Sequence, residues 1–600
     1  MHNLKLWTAS NKNNNLLKFI NSLKNILQFN SYFDLHRWSI EYKNDFWNEI
    51  WKFTKIVGDL KGKVYLHNKE FIKCKFFENS KINYSENCLS KDDNTNAIIF
   101  YSENNLRKSF SWKQLREKVF KFSYFLKSNN ISKFDRIAAV LPNIPETVVS
   151  FLSTSQIGAI WSSCSSDFGE KAIIDRFKQI EPKVLIVTDY YFYNQKKIIT
   201  TNAVPSILEN IPSIEKIIVI PYDKEKANLD VKFKYIEWND IQKSTNKNDK
   251  FEKFEFNHPL YILYTSGTTA MPKGCPLDHI VLQHAGVVGG TDRLRLIEGD
   301  VVWNPLPMFH SAFTQPLTGT LHVGGTLVSM AHFEPDEALD LITRERVTVA
   351  FPAFPTITLQ ILHHPRYTPE TLSGVRVMLN VGPPEELVAM QALMPHTTQI
   401  TCFGMSECGG SVAMCNPDDP LPLRSECSGN ALPGIDIEIR DPETGETLAH
   451  GEPGEIVARG CGVFSGYYND PEKTEAAFWE GGWFRTGDLG VLDAEGRVTF
   501  RGRLKDMLKV GGENVAAVEI EGYLALHAAV KLAQVVGLPD EKYGENVGST
   551  NNKRGNLQQR NSTPGNKHAT ARGAACDQPN KAALRKVREI MDNGNDKRRS

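Results

Sequence analysis

The sequence predicts an α/β fold of mostly parallel sheets covered by helices. Short apolar runs such as Ile137-Ala-Ala-Val-Leu141, Val184-Leu-Ile-Val187 and Ile217-Ile-Val-Ile220 read as strands buried on both faces. Between them the apolar spacing changes to three and four, as at Trp112, Leu115, Val119, Phe122 and Leu126, which is the period of a helix. Strands and helices in alternation imply parallel sheets covered by helices on both sides. A length of 600 residues exceeds what one core accommodates, so two or three domains are expected.

Residues 1–95 are rich in aromatics, Asn and Lys, and WSIEYKNDFWNEIWKF, Trp38 to Phe53, has the spacing of an amphipathic helix packed on a larger body. In that body, residues 96–501, Pro145 opens a helix running to about Ile157, because proline suits the first helical turn. IWSSCSSDFG, Ile160 to Gly169, and DRFKQIEPKVLI, Asp175 to Ile186, read as helix–sheet packing. Further on, Leu260 to Tyr264, Val375 to Leu379 and Ile400 to Phe403 read as strands, and Gly487-Asp488-Leu489 as a turn.

The stretch YTSGTTAMPKG, Tyr264 to Gly274, follows one of these strands at its carboxyl end, where open α/β sheets bind ligands. Thr265, Ser266, Thr268 and Thr269 offer hydroxyls, Gly267 frees the backbone to turn its N–H groups inward, and Lys273 supplies a point charge for phosphate oxygens. The pattern is not a Walker loop, since GxxxxGK[ST] is absent.

With the motifs that follow it, this stretch resembles the phosphate loop YTSGTTGxPKG of the adenylate-forming superfamily of acyl-CoA synthetases, acyl-AMP ligases and luciferases, Ala270 standing for a glycine. The N-terminal half, through IWSSCSSDFG and its neighbours, looks like acetoacetyl-CoA synthetase. The resemblance implies an ATP-dependent ligase that makes an acyl-adenylate and then a CoA thioester, with ATP, Mg²⁺ and CoA as its small molecules. NVGPPEE, Asn380 to Glu386, matches the adenine loop at Gly382, Pro383 and Pro384. In FGMSE, Phe403 would stack on the base, Gly404 and Met405 would line it, Ser406 would donate to the α-phosphate and Glu407 would hold Mg²⁺. Asp488 would accept the ribose hydroxyls and Arg503 would contact ribose or phosphate. Lys505 takes the hinge position, and Gly511, Gly512 and Asn514 would pass the pantetheine arm of CoA. His310, in WNPLPMFHSAF, has two readings: a residue of the acyl and pantetheine channel, or a packed histidine satisfied by a carbonyl. The resemblance also implies a large domain of stacked, mostly parallel sheets with a distorted β region near residues 430–500, followed by a small, truncated α+β lid at 502–548.

Equal counts of 70 acidic and 70 basic residues leave no global field for nucleic acid or anionic membrane, so small-molecule partners are expected. Ten cysteines lack a CxxC pair, and the cluster Cys402, Cys408, Cys415 and Cys427 has spacings unlike zinc or iron–sulfur sites, which suits reduced thiols in a cytoplasmic protein. The N-terminus has no apolar signal core, and no run is long enough to span a membrane. Residues 1–260 carry 34 Lys and 5 Arg, against 6 Lys and 13 Arg in residues 261–548, a shift suggesting two related coding sequences joined at the phosphate loop. Residues 549–600, with 12 basic and 4 acidic residues and few apolar ones, read as a disordered tail. The resembling family ends its small domain in PxxxxGK, and this motif is absent, so slow adenylation is expected, with a nucleotide-binding protein of impaired turnover as the alternative. A luciferase-type oxidation shares the same motifs. Acetoacetate is the first substrate expected, among short and medium acyl acids.

Overall fold

A computed structural model describes residues 15–24, 27, 29, 31–67, 75–103, 106–193, 195–227, 229, 231–265, 272–504, 507–510, 513–516, 521, 530–540 and 544–553. The apolar runs assemble into two seven-stranded sheets with a common plan. In the first, the order is Ile236–Glu237, Lys216–Ile220, Val184–Thr188, Arg136–Val140, Ile160–Cys164, Pro259–Thr265 and Lys273–Asp278. Neighbours are parallel until the last pair, which is an antiparallel hairpin. The second sheet runs Thr398–Ile400, Val377–Asn380, Val349–Ala353, Val301–Asn304, Thr326–Met330, Asn96–Tyr101 and Arg107–Ser111, again parallel up to a final antiparallel hairpin. Both sheets therefore join segments from either side of the compositional break.

The helix Pro145–Gln156 is buried at every residue. Its Phe151 ring meets Tyr84, Trp161 and Tyr261 at 5.4, 6.4 and 5.5 Å between centroids. A segment reading SFLSTSQ tolerates this burial because its hydroxyls bond carbonyls one turn back: Ser150 to Glu146, Ser153 to Val149 and Thr154 to Ser150, at 2.7–2.8 Å. The predicted helix at Trp112 spans Trp112–Ser128 and opens with a Ser111/Gln114 capping box.

Three expectations are corrected. The single N-terminal amphipathic helix is two, Tyr32–Glu41 and Lys43–Thr54, because Tyr42 leaves helical geometry at φ −115° and ψ 54°. Trp51 still seats the second helix on the body, against Phe77 and Phe256. Asp488 lies inside the strand Trp483–Leu492 rather than on a turn. The strand Gly544–Lys553 carries regular backbone past residue 549, where a disordered tail was expected to begin.

The β region expected near residues 430–500 is an antiparallel sheet of Ile435–Arg440, Gly454–Gly460, Trp483–Leu492, Phe478–Trp479 and Val498–Arg503. Beyond it, Met507–Val510, Glu513–Ala516, Val530–Asp540 and Gly544–Lys553 form one antiparallel sheet. Among the described residues no helix is long and apolar enough to cross a membrane.

Candidate active site

The hairpin that closes the first sheet places Thr265 directly across from Lys273. The loop between them carries Ser266, Gly267, Thr268 and Thr269, which lie outside the described residues, as do Lys505, Gly511 and Gly512. Asn514 is described only as backbone of the strand Glu513–Ala516.

Lys273 and Glu407 come together through a residue to which the sequence assigned no role. The Lys273 ammonium donates to the Tyr467 hydroxyl at 3.2 Å and sits 4.3 Å from the centre of its ring. That hydroxyl in turn donates to Glu407 Oε1 at 3.0 Å. Burial first, and then the Glu407 carboxylate, hold the Tyr467 phenol well above its ordinary pKa, so it remains a neutral donor. Two backbone bonds fix the segment around Tyr467: Phe464 N–H donates to Glu407 O and Tyr468 N–H to Gly274 O, each at 2.9 Å. The motif GVFSGYYND thus staples the phosphate-loop strand to the FGMSE segment. Its signal in the sequence is a tyrosine pair in a glycine-rich stretch after FGMSE.

FGMSE itself is the strand Cys402–Met405 followed by a 3₁₀ turn, Ser406–Cys408. The Phe403 ring is buried and stacks on Phe500 at 6.1 Å and 28°. Gly382 lies between the strand Val377–Asn380 and the helix Pro384–Leu393, which Pro383 precedes at the N-cap position. Asn380 anchors this link from beneath, buried, accepting from Thr358 Oγ1 at 2.5 Å and donating to Gln399 Oε1 at 3.1 Å.

Asp488 faces Arg503 across an antiparallel pair, with Arg503 Nε 2.9 Å from Asp488 Oδ1. Gly487 makes this possible, since its φ of +69° lets the strand re-aim the next side chain. Burial pushes the Asp488 carboxyl up to about 6; Arg503 opposes this, while Glu407 and Glu455 add to it. Glu455 is occupied, accepting from Arg485 Nε at 3.0 Å and from Gly487 N–H at 3.1 Å.

His310 caps the helix Ser311–Val323, its Nδ1 accepting from Ala312 N–H at 3.3 Å, and the surrounding protein lowers its pKa. Tyr261, in the strand that leads to the phosphate loop, donates its hydroxyl to Met308 O at 3.1 Å and so ties the His310 loop to that strand. No cluster of three or more His, Cys, Asp or Glu side chains suited to a metal occurs among the described residues. A lone carboxylate such as Glu407 suits Mg²⁺, which is ordinarily shared between one or two protein carboxylates and the phosphates it accompanies.

Residues 86–468 of the chain match the AMP-binding enzyme family. The chain belongs to this family. Within it the chain groups with the adenylate-forming acid–thiol ligases. Acetoacetyl-coenzyme A synthetase of Rhizobium meliloti is 30% identical over 525 residues, covering 82% of this chain and 77% of the relative. ATP-bound MatB from Rhodopseudomonas palustris superposes with a TM-score of 0.68 at 26% identity, covering 78% of this chain and 88% of MatB. Acetoacetyl-CoA synthetase from Streptomyces lividans shares the fold at a TM-score of 0.75 and 21% identity, covering 91% of this chain and 86% of its own.

Proposed function

We propose that this AMP-binding enzyme joins a short or medium carboxylic acid to CoA through an acyl-adenylate, with acetoacetate as the first candidate acid. The observation that supports it is the Lys273–Tyr467–Glu407 chain, which sets a cation and an anion on either side of a neutral hydroxyl at the mouth of the phosphate loop. In the first step an acid oxygen attacks the α-phosphorus of ATP and the bond to pyrophosphate breaks. In the second the CoA sulfur attacks the acyl carbon and AMP leaves.

Lys273 neutralises charge on the phosphates, and the Glu407 carboxylate would hold Mg²⁺, which adds to that neutralisation. Asp488, ionised above about pH 6, accepts the ribose hydroxyls, with Arg503 steadying it. Positioning and charge account for most of the catalysis, because nucleotidyl transfer asks little covalent chemistry of the protein. His310 lines the acyl channel in this reading, and the backbone at Asn514 with Gly511 and Gly512 passes the pantetheine arm. Residues 96–501 serve as the nucleotide-binding body and 502–548 as its lid.

The acid is supported by the relative from Rhizobium meliloti, whose match spans most of the chain. The test is a panel of acids from acetate to octanoate, acetoacetate included, with pyrophosphate release and thioester formation measured separately. Acetoacetate turned over fastest supports it as the acid; a preference for octanoate rejects acetoacetate. ATP binding with little or no pyrophosphate release would point to the nucleotide-binding alternative, and oxygen-dependent light emission to the luciferase class.

A further inference from the structure

The cysteine cluster noted in the sequence has an arrangement that the ligase reading leaves unused. Cys415 directly follows the strand Gly410–Met414, and Cys427 closes the helix Leu421–Glu426. The antiparallel register pairs Ala413 with Ala431 and Met414 with Asn430, which carries Cys415 opposite Gly429, next but one to Cys427. The chains approach this closely because Gly429 has no side chain: a Cβ there would stand 2.2 Å from the Met414 carbonyl and 2.3 Å from Cys415 N, at a φ of +79°.

Both thiols are free and turn toward one shared carbonyl. Cys427 Sγ donates to Leu423 O at 3.0 Å, and the same oxygen lies 3.8 Å from Cys415 Sγ. Cys415 Sγ also lies 3.1 Å from the carbonyl oxygen of Cys427. The Leu423 carbonyl oxygen is thus common to both sulfurs. Cys415 is buried, whereas Cys427 is partly exposed.

We propose that Cys415 and Cys427 are a redox site that closes to a reversible disulfide, Cys427 meeting the oxidant and Cys415 resolving it. The difference in exposure sets that order. The neighbouring Cys427 and burial together raise the Cys415 thiol, whereas Cys415, the Gly429 N–H and Arg497 lower the Cys427 thiol against burial and Asp493, so Cys427 is the thiol that ionises first.

With a hydroperoxide as oxidant, the Cys427 thiolate attacks one peroxide oxygen, the O–O bond breaks and the leaving alkoxide takes a proton to depart as alcohol or water. Cys427 becomes a sulfenic acid. The Cys415 sulfur then attacks the Cys427 sulfur, the S–S bond forms, and the sulfenic oxygen leaves as water with the Cys415 proton. In sum two thiols and one hydroperoxide give one disulfide, one alcohol and one water. The closed loop would include Arg424, which donates to Gln391 Oε1 at 3.0 Å and to Gln399 O, and so braces the strand that leads into FGMSE.

The experiment treats the whole chain with hydrogen peroxide, blocks remaining thiols with N-ethylmaleimide and reads tryptic peptides by mass. Trypsin cuts after Arg376, Arg424 and Arg440, so Cys427 is the sole cysteine of peptide 425–440, while peptide 377–424 holds Cys402, Cys408 and Cys415. The expected result is a linked pair of these peptides, two hydrogens lighter than their sum and separated by dithiothreitol. The link should persist in Cys402→Ser and Cys408→Ser and be lost in Cys415→Ser. Fragmentation of the wild-type linked pair assigns the partner even if Cys415→Ser fails to fold. Absence of the link under excess peroxide, or a link to Cys402 or Cys408, overturns the proposal. Because the readout is a peptide mass, it stands apart from the fate of the ligase reading.

Discussion

The two sheets of the body end in the same way and put the end to different use. Each terminates in an antiparallel hairpin after a run of parallel strands. On the second sheet the hairpin's cations are consumed within the protein, Arg107 pairing with Glu345 at 3.1 Å and Lys108 with Glu146 at 3.3 Å. On the first, Lys273 forms no ion pair among the described residues and is held by the ring and hydroxyl of Tyr467. A lysine paired to a carboxylate has its charge already compensated, whereas one held by a neutral hydroxyl keeps its attraction for an incoming anion. The same structural device thus serves packing in one sheet and a candidate phosphate site in the other.

The largest expected effect breaks that comparison at its centre. Lys273→Met should lower acid-dependent pyrophosphate release by about 10²–10³, as removal of a preorganised charge from a transition state commonly does. Lys108→Met, at the matching hairpin, should change it by less than about threefold. Steady-state rates of the two purified variants decide the matter, and equal losses would dissolve the distinction.

Architecture should respond alike on both sides. Leu263 in the first sheet and Ile99 in the second are 1% and 2% exposed, and each alanine replacement should cost about 2–4 kcal/mol in denaturant unfolding. A smaller effect is expected at the hydroxyl that separates the charges. Tyr467→Phe keeps the ring over Lys273 but frees Glu407 to pair with it directly, and ATP affinity should fall about tenfold by calorimetry, in line with a hydrogen bond to a charged group. Unchanged affinity would show that the hydroxyl does not keep them apart.

The mildest effect is one of pH. The Asp488 carboxyl stands at about 6 in the folded chain against an ordinary 3.8, so the folded state binds the extra proton between those values. The stability difference between wild type and Asp488→Asn should therefore shift against wild type as pH rises through this window, then level off above about 6. ATP affinity should move the opposite way, weakening in wild type as pH falls through about 6 and the ribose acceptor is protonated, and staying flat in the variant. Melting curves and binding isotherms across pH 5–8 test both signs.

Much of this was legible along the chain. The apolar runs at Val184, Ile217 and Leu260 became buried strands, and the helix opened by Pro145 ended within a residue of the expected place. Such elements are set by local periodicity, which needs no partner to be read. The break at Tyr42 was missed because the aromatic period continues across it while the backbone does not. Asp488 was misplaced on a turn because Gly-Asp commonly marks one, and only pairing with the strand Val498–Arg503 shows Gly487 bending a strand instead.

By itself the sequence determined the α/β class, the mostly parallel strands and the short segments that carry hydroxyls, lysine and carboxylates, since each depends on composition and spacing within a few residues. Only the tertiary structure decided which of them meet. Lys273 and Tyr467 are 194 residues apart and Tyr467 and Glu407 are 60 apart, yet one hydroxyl serves both charges. Such a contact is selected by the packing of whole elements against one another, a condition on distant parts of the chain that no local pattern encodes.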